Sequence, residues 1–494
     1  MVNPNEPTAV EDRSAPVEVV PVSAATEDLG AVPDPKRWLA LSVLFAALFM
    51  DMLDGGIVNV AIPQIQQALG VSAAQIQWIT AGYMLSFGVL LIPGGRLGDI
   101  FGRKRMFLVG VAGFMFGSAA CAAAFDAEVL VVARVLQGAF AAMMVPQVLA
   151  IIRVTFSREF GKVVGASALI GGVAVVAGPL VGGLLVEADV FGLQWRTIFA
   201  VNVPVGALAL VLASRWVVES RATAATRLDV GGVGLAVLGL LLLLVPLVEG
   251  RELGWPTWSI ASLVLTVPVF VLFVRHQRRR IRTGRSPLVV LGLFRERGFW
   301  AGILVQLLFQ GLPAAFFLVW TLYLQSGLGW SPLRTGLASI PFSIAVAVSG
   351  GLSVQVIYPR LGRTTLMLGA VLMFAGLVHF GVVASEHGQD IGVGHMVVPL
   401  VLIGLGMGQV ISPLTGLILG FVPQDDAGSA SGLITATAQV GAALGVAFIG
   451  VVFFGAAGDG LVHAFSLATW FLGGQLAVVF GLLFALPRLA GTEQ

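Results

Sequence analysis

Residues 95–105 read GRLGDIFGRKR and lie between two long apolar stretches, at 76–95 and 106–124. Each stretch has about the 20 residues that a helix needs to cross the hydrocarbon core of a bilayer. Four basic side chains in so short a connection are typical of a loop on the cytoplasmic side of a membrane. This region therefore predicts two membrane-spanning helices that are joined by a tight cytoplasmic turn.

The composition of the whole chain agrees with this interpretation. Of the 494 residues, 57% are hydrophobic and only 11% are charged, whereas soluble domains carry about 25% charged residues. A soluble protein is therefore excluded. The formal net charge of +2 gives no basic excess for a nucleic-acid partner. The single cysteine, Cys121, cannot form a disulfide within the chain.

Stretches of membrane-spanning length recur along the chain, and we count fourteen. They lie near 38–62, 76–95, 106–124, 128–151, 163–186, 197–218, 230–248, 258–274, 300–323, 335–356, 365–384, 395–421, 430–455 and 465–486.

The positions of the basic residues give the orientation of these spans. If the N-terminus is cytoplasmic, most Lys and Arg fall in cytoplasmic connections, including eight arginines between Arg275 and Arg297. The other connections hold only Arg196, Arg251 and Arg334 and are rich in acids. The bias predicts that both termini are cytoplasmic. The arginine run could also indicate nucleic-acid binding, but contact with anionic lipid headgroups explains it better.

The N-terminal residues form a different block. Residues 1–37 contain seven acidic and three basic residues, six prolines and no long apolar run. Such a composition predicts a disordered acidic tail on the cytoplasmic side.

An internal repeat divides the spans into two groups. A four-position pattern of small residues in the fifth span recurs in the thirteenth at a constant offset of 267 residues. Two parallel repeats suit a transporter whose halves rock about a central site. We therefore predict an all-α integral membrane protein with domains at 1–37 (tail), 38–220 (six helices), 221–285 (two inserted helices) and 286–494 (six helices). The paired positions are Gly161, Gly165, Ala174 and Gly178 with Gly428, Gly432, Gly441 and Gly445.

Five motifs carry a family resemblance. They are LDGGIVNVAIP at 53–63, GRLGDIFGRKR at 95–105, RVLQG at 134–138, GPLVGG at 178–183 and WRTIFAVNVP at 195–204. In this order they resemble the fourteen-span drug:proton antiporters of the major facilitator superfamily.

The resemblance implies a non-enzymatic, multi-pass transporter of a bacterial plasma membrane. It implies export of drug-like or antibiotic-like molecules by alternating access, with the proton gradient as energy source and no cofactor or metal. We expect a monomer. The chain departs from the family at Ala174, where the antiporter motif usually has Gly, and at Pro359, where the repeat predicts an Asp equivalent to Asp99.

Charged residues within the spans are the strongest candidates for function. Asp51 and Asp54 lie on one face of the first span, and Arg134 lies in the fourth. Each costs at least about 2.5–3.5 kcal/mol in a bilayer, which favours a functional role. We hypothesise that Asp54 exchanges protons, that Arg134 tunes its proton affinity, and that Asp51 is a second proton site or a substrate-charge site. The alternative is a static ion pair that holds two spans together.

Two further motifs predict conformational roles. In the loop 95–105, Gly95, Gly98 and Gly102 permit a tight turn and a close approach of the helix ends. Asp99 can accept hydrogen bonds at a helix N-terminus or pair with a loop arginine such as Arg103, which would latch one conformation. The alternative is that these charges only set topology. In the fifth span, Pro179 favours a bend. By resemblance, Gly178, Pro179, Gly182 and Gly183 pack between the halves and hinder proton leak, with plain packing as the alternative.

Polar and aromatic residues within the spans are candidates for lining a substrate cavity. Each could equally serve packing or hydrogen bonding between helices. The candidates are Asn59, Tyr83, Gln137, Gln306, Gln310, Trp320, Gln409 and Gln439.

The sequence favours an exporter of neutral, weakly charged or singly cationic lipophilic compounds, because no confident acid lies in spans nine to fourteen. Two alternatives stay open: a dedicated exporter of one endogenous metabolite, and a membrane sensor or scaffold that does not transport.

Overall fold

The computed structural model describes residues 36–222, 228–423 and 426–487. Within those ranges the regular secondary structure is helical, without strands. The predicted disordered tail lies outside the described residues, except for its last two positions, where the first helix begins at Arg37.

Fourteen spans agree with the count from the sequence. Among the described residues, thirteen helices are long and apolar enough to cross a membrane, and a bent pair supplies a fourteenth. The spans are α1 (Arg37–Leu69), α2 (Ala73–Phe101), α3 (Arg103–Ala122), α4 (Ala127–Thr155), α5 (Phe160–Glu187), α6 (Gln194–Trp216), α7 (Val230–Glu249), α8 (Thr257–Arg282), α9 (Arg297–Gly327), α10 (Pro332–Leu361), α11 (Arg363–Asp390), α12 (Val393–Leu419), α13 (Ala427–Asp459) and α14 (Leu461–Leu483).

Local sequence sets where several helices begin and end. The Ser72 hydroxyl accepts a hydrogen bond from Gln75 N, and the Gln75 side chain accepts one from Ser72 N, which forms a capping box at the start of α2. Asp126 caps α4 by accepting from Val129 N at 2.7 Å. Gly70 ends α1 with a φ of 63°, in the left-handed region that glycine adopts without strain.

The spans pack as two groups of six with a pair between them. In the N-terminal half (α1–α6), α4 packs on α2 and α3, and α1 packs on α5. In the C-terminal half (α9–α14), α12 packs on α10 and α11, and α9 packs on α13. The halves meet where α2 contacts α13 and where α5 contacts α10. In the inserted pair (α7 and α8), α7 packs on α2 and α13, and α8 packs on α7.

The two ends of the bundle differ in how the halves meet. We call the end where α2 turns into α3, at Gly102, the basic end and the opposite end the acidic end. At the acidic end, α5 and α10 approach so closely that a Cβ added to Gly183 would lie 2.6 Å from Pro332 O. Toward the basic end, a Cβ added to Gly161 or Gly165 of α5, or to Gly351 of α10, would meet no atom within 4 Å. The α5–α10 flank is therefore closed at the acidic end and open at the basic end.

Polar contacts hold the inserted pair against both halves at the acidic end. Glu249 accepts a hydrogen bond from Trp78 Nε1 of α2 at 2.8 Å. Glu252 accepts one from Ala74 N, also at 2.8 Å. Arg251 donates to the carbonyl of Phe454 on α13 at 3.4 Å. The connection between α7 and α8 therefore bridges the two helices at which the halves meet.

At the basic end, Asp229 is the centre of a second polar cluster. Its buried carboxylate lies 2.8 Å from His276 Nε2, accepts from Gln277 Nε2 at 2.8 Å and lies 3.5 Å from Arg280. Burial opposes ionisation, but these hydrogen bonds, that from Gly232 N and the charge of Arg280 together lower the pKa of Asp229. The cluster keeps α7 and α8 together at this end.

Candidate functional site

Asp54 on α1 and Arg134 on α4 form an ion pair inside the N-terminal half. Arg134 Nη1 lies 2.5 Å from Asp54 Oδ2, and 2% and 0% of the two side chains, respectively, are exposed. The sequence singles out both residues as intramembrane charges, and the fold brings them together. Removing one partner of a buried pair costs about 3–5 kcal/mol, because it leaves the other charge uncompensated.

Neutral side chains complete the surroundings of Asp54. Its Oδ1 accepts hydrogen bonds from Gln137 Nε2 and from Asn202 Nδ2 of α6, each at 2.9 Å. The Ser118 hydroxyl of α3 lies between these amides and accepts from Gln137 at 2.8 Å and from Asn202 at 3.3 Å. The carboxylate therefore accepts hydrogen bonds from three side chains, one guanidinium and two amides.

Arg134 has partners other than Asp54. Its Nη1 donates to Gln137 Oε1 at 2.6 Å, and its Nε donates to the carbonyl of Ile79 at 3.1 Å. The guanidinium carbon lies 4.2 Å from the ring centroid of Tyr83, within the range of a cation–π contact. Two neutral acceptors and an aromatic face therefore remain for Arg134 if Asp54 becomes neutral.

Asp51 lies one turn before Asp54 and has different surroundings. Its Oδ1 accepts a hydrogen bond from the Tyr83 hydroxyl at 2.6 Å, and 7% of the residue is exposed. Among the described residues, no basic side chain forms an ion pair with Asp51. Arg134 pairs with Asp54 instead. With both acids ionised, the three charged groups carry a net charge of −1.

Two residues of this cluster were not recognised as site residues from the sequence. Asn202 lies in the quoted stretch WRTIFAVNVP, and Ser118 lies in the third span. Both are buried, at 2% and 0% exposure. An amide in an apolar span was a usable signal for Asn202, whereas a serine among alanines and glycines gave none. Gln137, which we predicted to line a cavity, belongs to this buried cluster.

In the structure, residues 95–101 of the predicted loop belong to α2 and only Gly102 separates it from α3, so the glycines of this stretch differ in their requirements. Gly102 has a φ of 110°, which an L side chain rarely adopts, so the predicted turn needs it. At Gly95 an added Cβ would make an ordinary contact with Pro146 at 3.5 Å. Close approach to α4 instead depends on Gly94 and Gly98, where an added Cβ would overlap Ala142 O and the Gln147 amide.

At the basic end, one acid forms an ion pair and another caps a helix, whereas the sequence predicts both roles for Asp99. Asp99 near the end of α2 pairs with Arg103 at the start of α3, Oδ1 to Nη2 at 2.9 Å. Glu219, after α6, caps the start of α3 by accepting from Lys104 N at 3.0 Å and Arg105 N at 3.2 Å. Carboxylates are favourable at helix N-termini. Glu219 was missed because it is distant in sequence from the helix that it caps.

The stretch 178–183 lies where α5 meets both α1 and α10. The helix is bent by 42° between Ala174 and Ala177, one turn before Pro179, as expected for a proline that clashes with the preceding turn. Gly178 packs on Gly56 of α1, and Gly183 packs on α10. This stretch therefore contacts both halves of the bundle.

The remaining cavity candidates occupy different surroundings. Trp320 is fully buried in an aromatic cluster and stacks on Phe316, with 6.4 Å between ring centroids. Gln439 lies at the α2–α13 contact, where its Cβ would be 3.0 Å from a Cβ added to Gly88. The other four candidates are mostly buried polar side chains: Asn59, Gln306, Gln310 and Gln409. Among the described residues, Asn59 Oδ1 and Gln409 Oε1 have no hydrogen-bond partner.

Comparison with known proteins identifies several relatives. The chain is 41% identical to the probable actinorhodin transporter of Streptomyces coelicolor, over 87% of this chain and 75% of that protein. It is 36% identical to the puromycin resistance protein pur8 of Streptomyces alboniger, over 96% and 95% of the two chains. It is also 36% identical to the tetracenomycin C resistance and export protein of Streptomyces glaucescens, over 86% and 77%.

Solved structures share the fold. A crystal structure of a POT family transporter in complex with 5-aminolevulinic acid aligns with a TM-score of 0.66 at 16% identity, over 90% of this chain and 95% of that one. A family model described as Major Facilitator Superfamily matches residues 44–446. The chain therefore belongs to the major facilitator superfamily.

Proposed function

We propose that the protein exports lipophilic, drug-like or antibiotic-like small molecules from a bacterial cell in exchange for protons. The observation that carries the proton coupling is the buried pair of Asp54 and Arg134, in which Arg134 also contacts neutral acceptors. Relatives whose names refer to resistance and export support the direction of transport. In this proposal the protein lies in the plasma membrane as a monomer, and its basic end faces the cytoplasm and anionic lipids.

The proton step is a competition between a proton and Arg134 for the Asp54 carboxylate. In the ionised state Asp54 accepts from Arg134, Gln137 and Asn202. When a proton neutralises Asp54, Arg134 keeps its bonds to Gln137 Oε1 and the Ile79 carbonyl. Proton binding therefore avoids the full cost of an unpartnered buried guanidinium. Release of the proton restores the ion pair.

Opening and closing of the two ends connects this step to transport. The packing of α5 on α10 at the acidic end, with open space beside the α5 glycines at the basic end, supports an inward-facing state. Closing the basic end would bring α5 and α10 together there. In the proposed cycle the ion pair of Asp99 and Arg103 helps to latch one of the two states, and the bend before Pro179 hinders proton leak.

The relatives also favour a second candidate function. Three of them are named after single antibiotics: actinorhodin, puromycin and tetracenomycin C. The protein could therefore be a dedicated exporter of one endogenous metabolite that uses the same mechanism. Efflux of one compound far faster than a panel of unrelated lipophilic compounds would favour this candidate over broad drug export.

Efflux from proteoliposomes tests the main proposal. We expect uphill transport of lipophilic compounds by the wild-type protein when an inward proton gradient is imposed, and none without it. Asp54→Asn keeps the size of the side chain but cannot exchange the proton, so it should abolish gradient-driven transport. The matched control is Asp189→Asn in the loop after α5, where Asn also tolerates the left-handed backbone, with a φ of 43°. Uphill transport that persists in Asp54→Asn would contradict the role of Asp54.

A further inference from the structure

One face of α1 carries three adjacent features that the ion pair of Asp54 does not use. Asp51, Gly55 and Asn59 are four residues apart, which places them in a row along one side of the helix. The helix is central in the bundle, since it contacts α4, α5 and α6 in its own half and α9 in the other. A row of this kind faces other helices or the space between them.

Along this row, an open space lies next to hydrogen-bond acceptors that no described residue uses. A Cβ added to Gly55 would meet no atom within 4 Å, so the row has a gap at its centre. At one side of the gap, Asp51 has an ion-pair partner in none of the described residues and is held by the Tyr83 hydroxyl. At the other side, Asn59 is only 8% exposed and its Oδ1 lacks a hydrogen-bond partner.

The chemistry of these groups selects the ligand. Asp51 has a second carboxylate oxygen beyond the one that accepts from Tyr83, and Asn59 offers an amide oxygen, so both can accept hydrogen bonds. A buried acceptor without a donor costs about 1–3 kcal/mol, which a donating ligand would recover. When both acids are ionised, the cluster carries a net charge of −1, which suits a ligand with a single positive charge. The Tyr83 ring is covered by Arg134, so the carboxylate rather than the ring would recognise this charge.

We propose that Asp51, Gly55 and Asn59 form a binding subsite for the ammonium group of a singly cationic lipophilic amine. The ammonium donates to Asp51, the body of the molecule lies over Gly55, and a second N–H or O–H group donates to Asn59. Eight residues separate the two acceptors, or about 12 Å along the helix axis. The subsite rests on the proposed export function and names its substrate class.

Two dyes that differ at a single amine, charged in one and acetylated in the other, test the subsite. Dansylcadaverine carries one primary ammonium group, and its N-acetyl derivative is neutral at the same position. We expect the wild-type protein in detergent to bind dansylcadaverine at least about tenfold more tightly than the acetylated dye, as a desolvated charge pair requires. Asp51→Asn should remove this preference and leave binding of the acetylated dye unchanged. Asp51→Glu should restore part of it.

Further variants distinguish the loss of the subsite from a folding defect. Gly55→Leu should weaken binding of both dyes because it fills the gap, and Asp189→Asn should change neither. Thermal unfolding of each variant checks that the protein is intact. A wild-type protein without preference for the charged dye, or an unchanged preference in Asp51→Asn, would overturn the subsite. Neither result affects the proposed export function, which depends on gradient-driven transport and its loss in Asp54→Asn.

Discussion

The Asp54 carboxylate is held by donors from two other helices of the N-terminal half. Arg134 and Gln137 come from α4 and Asn202 comes from α6. Arg134 is also satisfied by Gln137 Oε1 and by the Ile79 carbonyl. These extra acceptors would also stabilise a static ion pair. An ion pair that only joined two helices would not need them, however. In the proposed mechanism, their arrangement lets the ion pair break without leaving an unpartnered charge on Arg134.

The shape of the Arg134 guanidinium provides a test at this scale. Arg134→Lys keeps the charge, but an ammonium cannot contact Asp54, Gln137 and the Ile79 carbonyl together. We expect a loss of about 1–3 kcal/mol in stability from the unsatisfied buried acceptors, and a large drop in gradient-driven efflux. The matched control is Arg153→Lys, because Arg153 is exposed at the end of the same helix. Equal unfolding temperatures and equal efflux for the two variants would contradict this assignment.

At the scale of helices, the small-residue pattern that revealed the repeat divides into two parts. Near the acidic end its members pack closely: Gly178 on Gly56, and Gly445 on the backbone of Gly311. At the basic end Gly161 and Gly428 meet nothing within 4 Å of an added Cβ. Three of the eight positions, Gly161, Gly165 and Gly428, therefore make no such contact in this state. We infer that these glycines pack when the basic end closes.

Bulky substitutions at the two ends should separate folding from transport. Gly165→Leu points into open space in this state, so it should leave the unfolding temperature unchanged but block closure of the basic end and stop efflux. Gly445→Leu would force α13 away from α9 and should destabilise the protein by about 1–3 kcal/mol. Thermal unfolding and efflux assays on both variants check the expectation. Full efflux by Gly165→Leu would show that α5 does not pack there.

At the scale of the whole molecule, the contacts of the inserted pair and of the two flanks describe one conformational state. On one flank α5 and α10 touch at the acidic end and separate toward the basic end. On the other flank α2 and α13 meet, and the inserted pair bridges them through Trp78 and Phe454. The bridge leaves the α5–α10 flank as the side where the structure shows space for closure.

Distances between spin labels should report this closure. Labels at Gly165→Cys and Gly351→Cys lie on α5 and α10 toward the basic end, and labels at Ala188→Cys and Leu337→Cys lie at the acidic end. On addition of a transported compound under a proton gradient, we expect the first distance to shorten and the second to lengthen. Cys121 is buried and should not be labelled. Distances that change in the same direction at both ends would exclude alternating access on this flank.

Some features of the site were within reach of the sequence and others were not. Asp54 and Arg134 stand out because a charge in an apolar span is costly wherever its partner lies. Glu219 and Ser118 do not stand out, because an acid in a loop and a hydroxyl in a helix are ordinary there. Their roles depend on which distant residue they face, as when Glu219 caps a helix that begins more than a hundred residues earlier.

The sequence by itself determined the number of spans, their α-helical form, the repeat and the identity of the intramembrane charges. It could do so because a chain in a bilayer must satisfy its backbone hydrogen bonds within each helix, so apolar length and charge order determine the topology. Only the tertiary structure decided that Asn202 and Ser118 complete the surroundings of Asp54, that Asp51 lies beside an open gap, and which end of α5 is packed. These are contacts between residues far apart in the chain, and they depend on how helices pack rather than on the composition of any one of them.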